Sequence, residues 1–289
     1  MRPHNLTTKI FCDGGDPVET RELLKLLGFL DGQTTNPSLI AKNPEAKAKI
    51  DRGEKFTVPE LLGFYEQVVM DVSKMIPQGS VSIEVYADKD TKAQAMVGQA
   101  RDMYQWIPNA QIKFPTTYEG LLAAEIVVHT GMRVNLTLCF TQAQAAAVYA
   151  ATRGAKIGQV FVSPFVGRLD DRGENGIDLI KNITQMYQDG DRHVEVLTAS
   201  VRSLDHFYYA LALQSDIITA PFKVIKDWAE RGQQVPENYT YHAKQLKPIP
   251  YQQLDLRQSW QEFNLKHELT DIGIEKFSAD WNSLLKLEA

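Results

Sequence analysis

Apolar and polar positions along this chain alternate between two rhythms. Eight short segments read as strands: Lys9–Asp13, Phe29–Asn36, Val81–Tyr86, Gln111–Pro115, Val134–Phe140, Gln159–Phe165, Glu195–Arg202 and Asp216–Phe222. Most are separated by helix-length stretches whose apolar residues recur every three to four positions, the spacing of one buried helical face. The clearest predicted helix spans Pro59–Ile76, with Leu61, Phe64, Tyr65, Val68, Val72, Met75 and Ile76 on one side. Pro59 suits its first turn and Pro77 stops it. A second, Thr141–Arg153, is alanine-rich and ends before Gly154.

Strict β–α alternation over residues 9–222 implies a parallel sheet, and eight units are the number that closes a barrel. The expectation is therefore an α/β protein folding as a (β/α)8 TIM barrel with additional C-terminal helices. An open doubly wound sheet is the alternative, but the Gly-rich phosphate turn that usually follows its first strand is missing. The barrel is expected to occupy residues 1–232. Residues 233–289 read as an extension packing on it: a polar crossing segment over Gln233–Leu256 with Pro236, Pro248 and Pro250, then one or two helices over Gln261–Leu287. The helical part carries Phe263, Leu265, Leu269, Ile272, Ile274, Phe277, Trp281 and Leu284, too short a tail to bury a core of its own.

Strand alternation then sorts side chains between the helix-packed face and the barrel interior. In the fifth strand Val134, Leu136, Leu138 and Phe140 oppose Asn135, Thr137 and Cys139. In the sixth, Val160 and Val162 oppose Phe161, Ser163 and Phe165; in the third, Val81, Ile83 and Val85 oppose Ser82, Glu84 and Tyr86. Lys113 opposes Ile112 and Phe114 in the fourth. Since the apolar set must meet the helices, Glu84, Lys113, Asn135, Thr137 and Ser163 point inward. The same parity places Asp13 at the end of the first strand and Thr34 with Asn36 at the end of the second.

Lys113 is the candidate nucleophile. An ammonium in a buried strand is costly to desolvate, which favours the neutral amine, and a neutral amine attacks ketones to give a Schiff base. The alternative is a lysine that snorkels to water. One lysine beside two carboxylates, Asp13 and Glu84, makes a catalytic interior the better account, because buried ionisable groups are seldom kept without use. Arg168 and Arg202 follow the sixth and seventh strands at the same end, and their guanidinium forks suit a phosphate. Arg168 has a competing option in Asp170 or Asp171.

Composition narrows the field. The net charge of −5 with no basic run argues against nucleic acid, so an anionic substrate needs a local cationic pocket. No apolar run approaches a membrane span and the N-terminus lacks a signal core, so a cytoplasmic location is expected. Cys12 and Cys139 are the two cysteines and the six histidines are scattered, which predicts neither disulfide nor metal site nor other cofactor.

These residues resemble the transaldolase family of class I Schiff-base aldolases. The segments that carry the resemblance are Thr34-Thr35-Asn36-Pro37-Ser38-Leu39-Ile40, Glu84-Val85, Ile112-Lys113, Asn135-Leu136-Thr137-Leu138 and Ser163-Pro164-Phe165-Val166-Gly167-Arg168. Gly273-Ile274-Glu275-Lys276-Phe277-Ser278 looks like the family's C-terminal end. The resemblance implies a metal-free transfer of a dihydroxyacetone unit, in the non-oxidative pentose phosphate pathway. The donor would be sedoheptulose 7-phosphate or fructose 6-phosphate, the acceptor glyceraldehyde 3-phosphate or erythrose 4-phosphate. Lys113 would form the Schiff base, Asp13 would take the C4 hydroxyl proton, and Glu84 with Thr137 and a water would shuttle protons. Asn36 and Asn135 would orient hydroxyls, Ser163 would sit near the dihydroxyacetone end, Thr34 would support the site, and Arg168 and Arg202 would hold the phosphate. The compact chain is similar to fructose-6-phosphate aldolase-like members, in which cleavage replaces transfer. That branch typically has glutamine in place of Glu84 and tyrosine in place of Phe165, and its smallest members lack the C-terminal extension, so transfer is expected. A sugar-phosphate-binding barrel without turnover is the rival from another class. A homo-oligomer, with a dimer favoured, is the expected assembly.

Overall fold

The computed structural model describes residues 1–241 and 245–286. Its strands are β1 (Lys9–Asp13), β2 (Gly32–Thr34), β3 (Ser80–Glu84), β4 (Ala110–Pro115), β5 (Val134–Cys139), β6 (Val160–Pro164), β7 (Val194–Thr198) and β8 (Ile217–Ala220). They close into one barrel in chain order, each pairing in parallel with the next and β8 with β1. The connection from β1 to β2 holds α1 (Pro17–Leu27); that from β2 to β3 holds α2 (Pro37–Ala41), α3 (Pro44–Asp51) and α4 (Val58–Met75). The next two crossovers are α5 (Ala93–Met103) and α6 (Tyr118–Val128), followed by α7 (Gln142–Ala151) after β5. Two helices follow β6, α8 (Val166–Asp170) and α9 (Gly176–Tyr187); α10 (Leu204–Ala212) and α11 (Phe222–Glu230) complete the ring.

The outward strand residues Val81, Ile83, Ile112, Phe114, Val134, Leu136, Val160 and Val162 are fully buried under these helices, as their alternation requires. Helix starts carry their own signals. Thr57 and Glu60 form a reciprocal capping box on α4, and Thr141 and Gln144 do the same on α7.

Six of the predicted strands are longer than the observed ones, and in β2, β5 and β7 the backbone shows the local reason. β2 lacks Phe29–Asp31, because Gly28 ends α1 in the left-handed region and the Asp31 carboxylate turns to accept from the Ile10 N–H. It also lacks Asn36, which caps α2 by accepting from the Leu39 N–H. β7 stops before Ser200, whose φ of 57° cannot continue a strand. In β5 a register shift between Leu136 and Cys139, with Leu138 at φ 58°, breaks the alternation. Phe140 therefore does not join the helix-packed set with Val134 and Leu136. It packs against Phe165 and stacks on His267.

Beyond α11 the described residues of the crossing segment pass over the outer side of α7 and α9 without regular structure. Gln142 exchanges two hydrogen bonds with the Gln252 backbone, and Asn182 donates to the Ile249 carbonyl. Residues 242–244 of this crossing segment and Leu287 of the predicted tail lie outside the described residues. A short 3-10 turn at Trp260–Glu262 precedes α12 (Glu268–Asn282), which packs on α2 and over the end of β5. Ile274, Phe277 and Trp281 of α12 are buried, whereas Ile272, counted with them by its apolarity, faces solvent. No described helix is long and apolar enough to cross a membrane.

Candidate active site

The inward residues at the C-terminal ends of the strands, except Glu84 and Asn135 behind them, meet in one cavity of about 170 Å³. Asp13, Thr34, Asn36, Lys113, Thr137, Ser163, Phe165 and Arg168 all line it. A larger cavity, about 470 Å³, opens at the opposite end around Phe11, Gln111 and Phe161. It contains none of the predicted site residues, and that end of a barrel ordinarily serves stability. The titratable groups, not the volume, mark the site.

Lys113 is 3% exposed, so it does not snorkel to water. Its Nζ lies 2.8 Å from Glu84 Oε2, with both side chains 4% exposed. The adjacent strands β3 and β4 place Glu84 directly beside Lys113 in the register, so the pair follows from strand order alone. The ammonium also donates to the Thr35 carbonyl at 3.0 Å. Burial pushes the Glu84 carboxyl above its ordinary range, against the lowering effect of the Lys113 charge.

Asp13 is enclosed by protein but keeps a face on the cavity. Thr34 donates to it at 2.7 Å, and Thr219 of β8 in turn supplies the proton shared with Thr34 at 2.6 Å. Loss of solvent raises the Asp13 carboxyl, while the Lys113 charge and the Thr34 hydrogen bond pull it down. Its carboxylate is thus oriented by a hydroxyl relay and held easier to protonate than an aspartate in water.

Asn135 is fully buried but is not part of the cavity wall. It donates to Ser82 Oγ at 3.1 Å and accepts from Ser163 Oγ at 2.6 Å, so its amide links three strands. Asn36 reaches the cavity with its Oδ1 already committed to the Leu39 N–H. Thr137 Oγ1 is buried without a hydrogen-bond partner, a donor–acceptor turned toward the cavity.

The two arginines differ. Arg168 pairs with neither Asp170 nor Asp171: Asp170 is 2.7 Å from His206 and Asp171 is paired with Arg202. Arg202, half exposed and so paired, does not line the cavity. It is held against α8 because Gly167 has no side chain; a Cβ there would sit 2.7 Å from Arg202 Nε and 2.4 Å from the Ser200 carbonyl.

Several contributors escaped the sequence pattern. Thr219, Ser200, Ser38 and Lys42 line the cavity, as do Lys276 and Phe277 from α12. Thr219 was legible from parity in β8, two residues beyond Ile217; the others depend on loop paths and long-range packing. Tyr65 of α4 acts one layer out. Its hydroxyl accepts from the Glu84 N–H at 2.9 Å and pairs with Thr35 Oγ1 at 2.6 Å, fixing both neighbours of Lys113 Nζ.

The sequence matches the family described as transaldolase/fructose-6-phosphate aldolase over residues 10–288. A probable transaldolase of Dehalococcoides mccartyi is 33% identical over 278 residues, covering 96% of this chain and 100% of that protein. One of Paracoccus denitrificans is 34% identical over 273 residues, covering 94% and 96%. Another, of Caldicellulosiruptor saccharolyticus, is 34% identical over 279 residues, covering 96% and 99%. With the lysine–carboxylate barrel interior these matches make the chain a member of the transaldolase/fructose-6-phosphate aldolase family.

Proposed function

We propose that the protein transfers a dihydroxyacetone unit between sugar phosphates through a Schiff base on Lys113. The observation that carries this reading is the buried Lys113–Glu84 pair at 2.8 Å, beside Asp13 in the cavity. Glu84, made more basic by burial, takes a proton from Lys113 and frees the amine. The Nζ adds to the C2 carbonyl of a ketose phosphate such as fructose 6-phosphate. Glu84 returns the proton through a water held by Thr137, and water leaves to give the iminium.

Asp13 then removes the C4 hydroxyl proton. The C3–C4 bond breaks, its electron pair moves into the iminium, and glyceraldehyde 3-phosphate departs. The enamine that remains attacks an acceptor aldehyde such as erythrose 4-phosphate, and Asp13 gives its proton to the new alkoxide. Hydrolysis releases sedoheptulose 7-phosphate. Ser163, oriented by Asn135 behind it, holds the dihydroxyacetone end, Asn36 a hydroxyl and Arg168 the phosphate, with Arg202 as a second cation behind α8. The apolar Phe165 ring in the cavity wall supports transfer over hydrolytic release, because it offers no hydroxyl to a water near the enamine. Two buried, unpaired cysteines fit a reducing setting such as the cytoplasm.

Borohydride reduction in the presence of fructose 6-phosphate should leave a stable adduct, mapped to Lys113 by peptide mass analysis. Activity should survive exhaustive EDTA, and transfer to erythrose 4-phosphate should outrun release of free dihydroxyacetone. An adduct on another lysine, or activity restored only by a divalent cation, would overturn the mechanism. Dihydroxyacetone freed as fast without acceptor as it is transferred with one would make the protein an aldolase.

A further inference from the structure

The outer wall of the cavity does not come from the barrel. Phe277 reaches it from α12, and its ring centroid lies 5.4 Å from the Arg168 guanidinium carbon. The Phe165 ring lies 5.4 Å from the same carbon, so the cation is flanked by two aromatic rings. Arg168 Nη1 is buried and has no hydrogen-bond partner. Helix α12 is seated very close here: a Cβ on Gly273 would come within 2.8 Å of Arg168 Nη1 and 2.6 Å of Leu138 Cδ2.

We propose that Phe277 is a positioning residue, clamping Arg168 against Phe165 with Nη1 seated on α12, so that the guanidinium edge turned to the cavity meets the phosphate of the sugar substrate. This rests on the reading of the site as one for sugar phosphates and extends it to a helix outside the barrel. A carboxylate partner would orient an arginine equally well, but it would also neutralise the charge and occupy the N–H groups. Aromatic faces hold a guanidinium by cation–π attraction and accept none of its in-plane hydrogen bonds. The rotamer freedom otherwise lost when phosphate arrives is already spent in the folded protein. Arg202 lacks all of these features, being half exposed and paired with Asp171. Arg168 is therefore the principal anion ligand and α12 the element that tunes it.

The test uses Phe277→Leu, which keeps apolar bulk but loses the ring, and Phe277→Tyr, which keeps the ring. Cooperative thermal unfolding first establishes that both are folded. Inorganic phosphate is then titrated calorimetrically into each, and KM and kcat are measured with fructose 6-phosphate and with unphosphorylated dihydroxyacetone as donor. Phe277→Leu should weaken phosphate binding about tenfold, the order expected for a partly desolvated cation–π contact. Phe277→Tyr should stay within about twofold of the wild type on the same scale. The KM of Phe277→Leu should rise much more for fructose 6-phosphate than for dihydroxyacetone. Unchanged phosphate affinity in Phe277→Leu, equal losses in both variants, or equal losses on both donors would overturn the proposal. Phosphate binding is read without turnover. A wild type that binds phosphate but forms no lysine adduct would therefore sink the transfer reading alone.

Discussion

At the scale of single residues, Asp13 shows what the proposed chemistry would cost the fold. Its carboxyl has a raised pKa, chiefly because it is withdrawn from solvent, although Lys113 and Thr34 pull the other way. As pH rises from its ordinary value of 3.8, the unfolded chain releases this proton before the folded one does. The native state then binds more protons, so stability falls with pH until the raised pKa is passed. Asn at this position keeps an acceptor for Thr34 but has no charge to desolvate. We expect Asp13→Asn to raise the melting temperature, with the gap from wild type opening as pH climbs above 3.8 and then levelling. The same variant should still form the Lys113 adduct while transfer slows by about 10²–10⁴-fold, the usual loss for a positioned acid–base group. Melting curves at several pH values, alongside adduct trapping and turnover, check both halves. A gap that does not change with pH would mean that the Asp13 charge carries no folding penalty.

At the scale of elements, strand alternation made most of the site readable. Parity alone turned Glu84, Lys113, Thr137 and Ser163 inward; it holds for Glu84 and Lys113 in a regular ladder, and Thr137 keeps its pairing with Pro115 although β5 shifts register against β6. It failed at Phe140, beyond the register shift in β5, since a leucine at φ 58° has no signature in composition or spacing. That irregular end of β5 is braced by α12: Thr270 donates to the Leu138 carbonyl at 3.0 Å, and Leu138 fills the space above Gly273. The bracing reverses an ordinary rule. Replacing a mid-helix glycine by alanine usually stabilises by about 0.5–1 kcal/mol. Gly98→Ala in α5 should follow the rule, because a Cβ there meets nothing within 4 Å. Gly273→Ala should instead destabilise and raise KM for phosphorylated donors, because its Cβ would press on Leu138 and Arg168. Chemical denaturation of the two variants decides it, and a stabilised Gly273→Ala would show that α12 is free to move away from the barrel.

At the scale of the whole molecule, the chain is acidic yet the proposed substrates are dianionic. The sequence alone required a local cationic pocket and named Arg168 and Arg202 for it, but it missed Lys42 and Lys276, which are far apart in the chain. Lys42 follows α2, Arg168 belongs to α8 and Lys276 to α12, and they share one cavity only after the C-terminal helix docks on α2. That docking includes a contact between Ser38 and Asp280, and Lys276 lies 3.1 Å from the same carboxylate. Lys42 and Lys276 are exposed at the mouth, so their fields extend into solvent and are open to screening, whereas Arg168 is largely withdrawn from it. Against a net charge of −5, this cluster supplies the local cationic field that the proposed function needs to draw a phosphate inward. Raising ionic strength from about 0.01 M to about 0.15 M shortens the Debye length from roughly 30 Å to roughly 8 Å. The KM for fructose 6-phosphate should rise across that range while the KM for unphosphorylated dihydroxyacetone stays flat. The Lys42→Ala/Lys276→Ala double variant should start from a higher KM for fructose 6-phosphate and respond less to salt. Steady-state kinetics at matched pH across a sodium chloride series makes the comparison. A double variant with the full salt response would place the steering field elsewhere and leave Arg168 to act by contact alone.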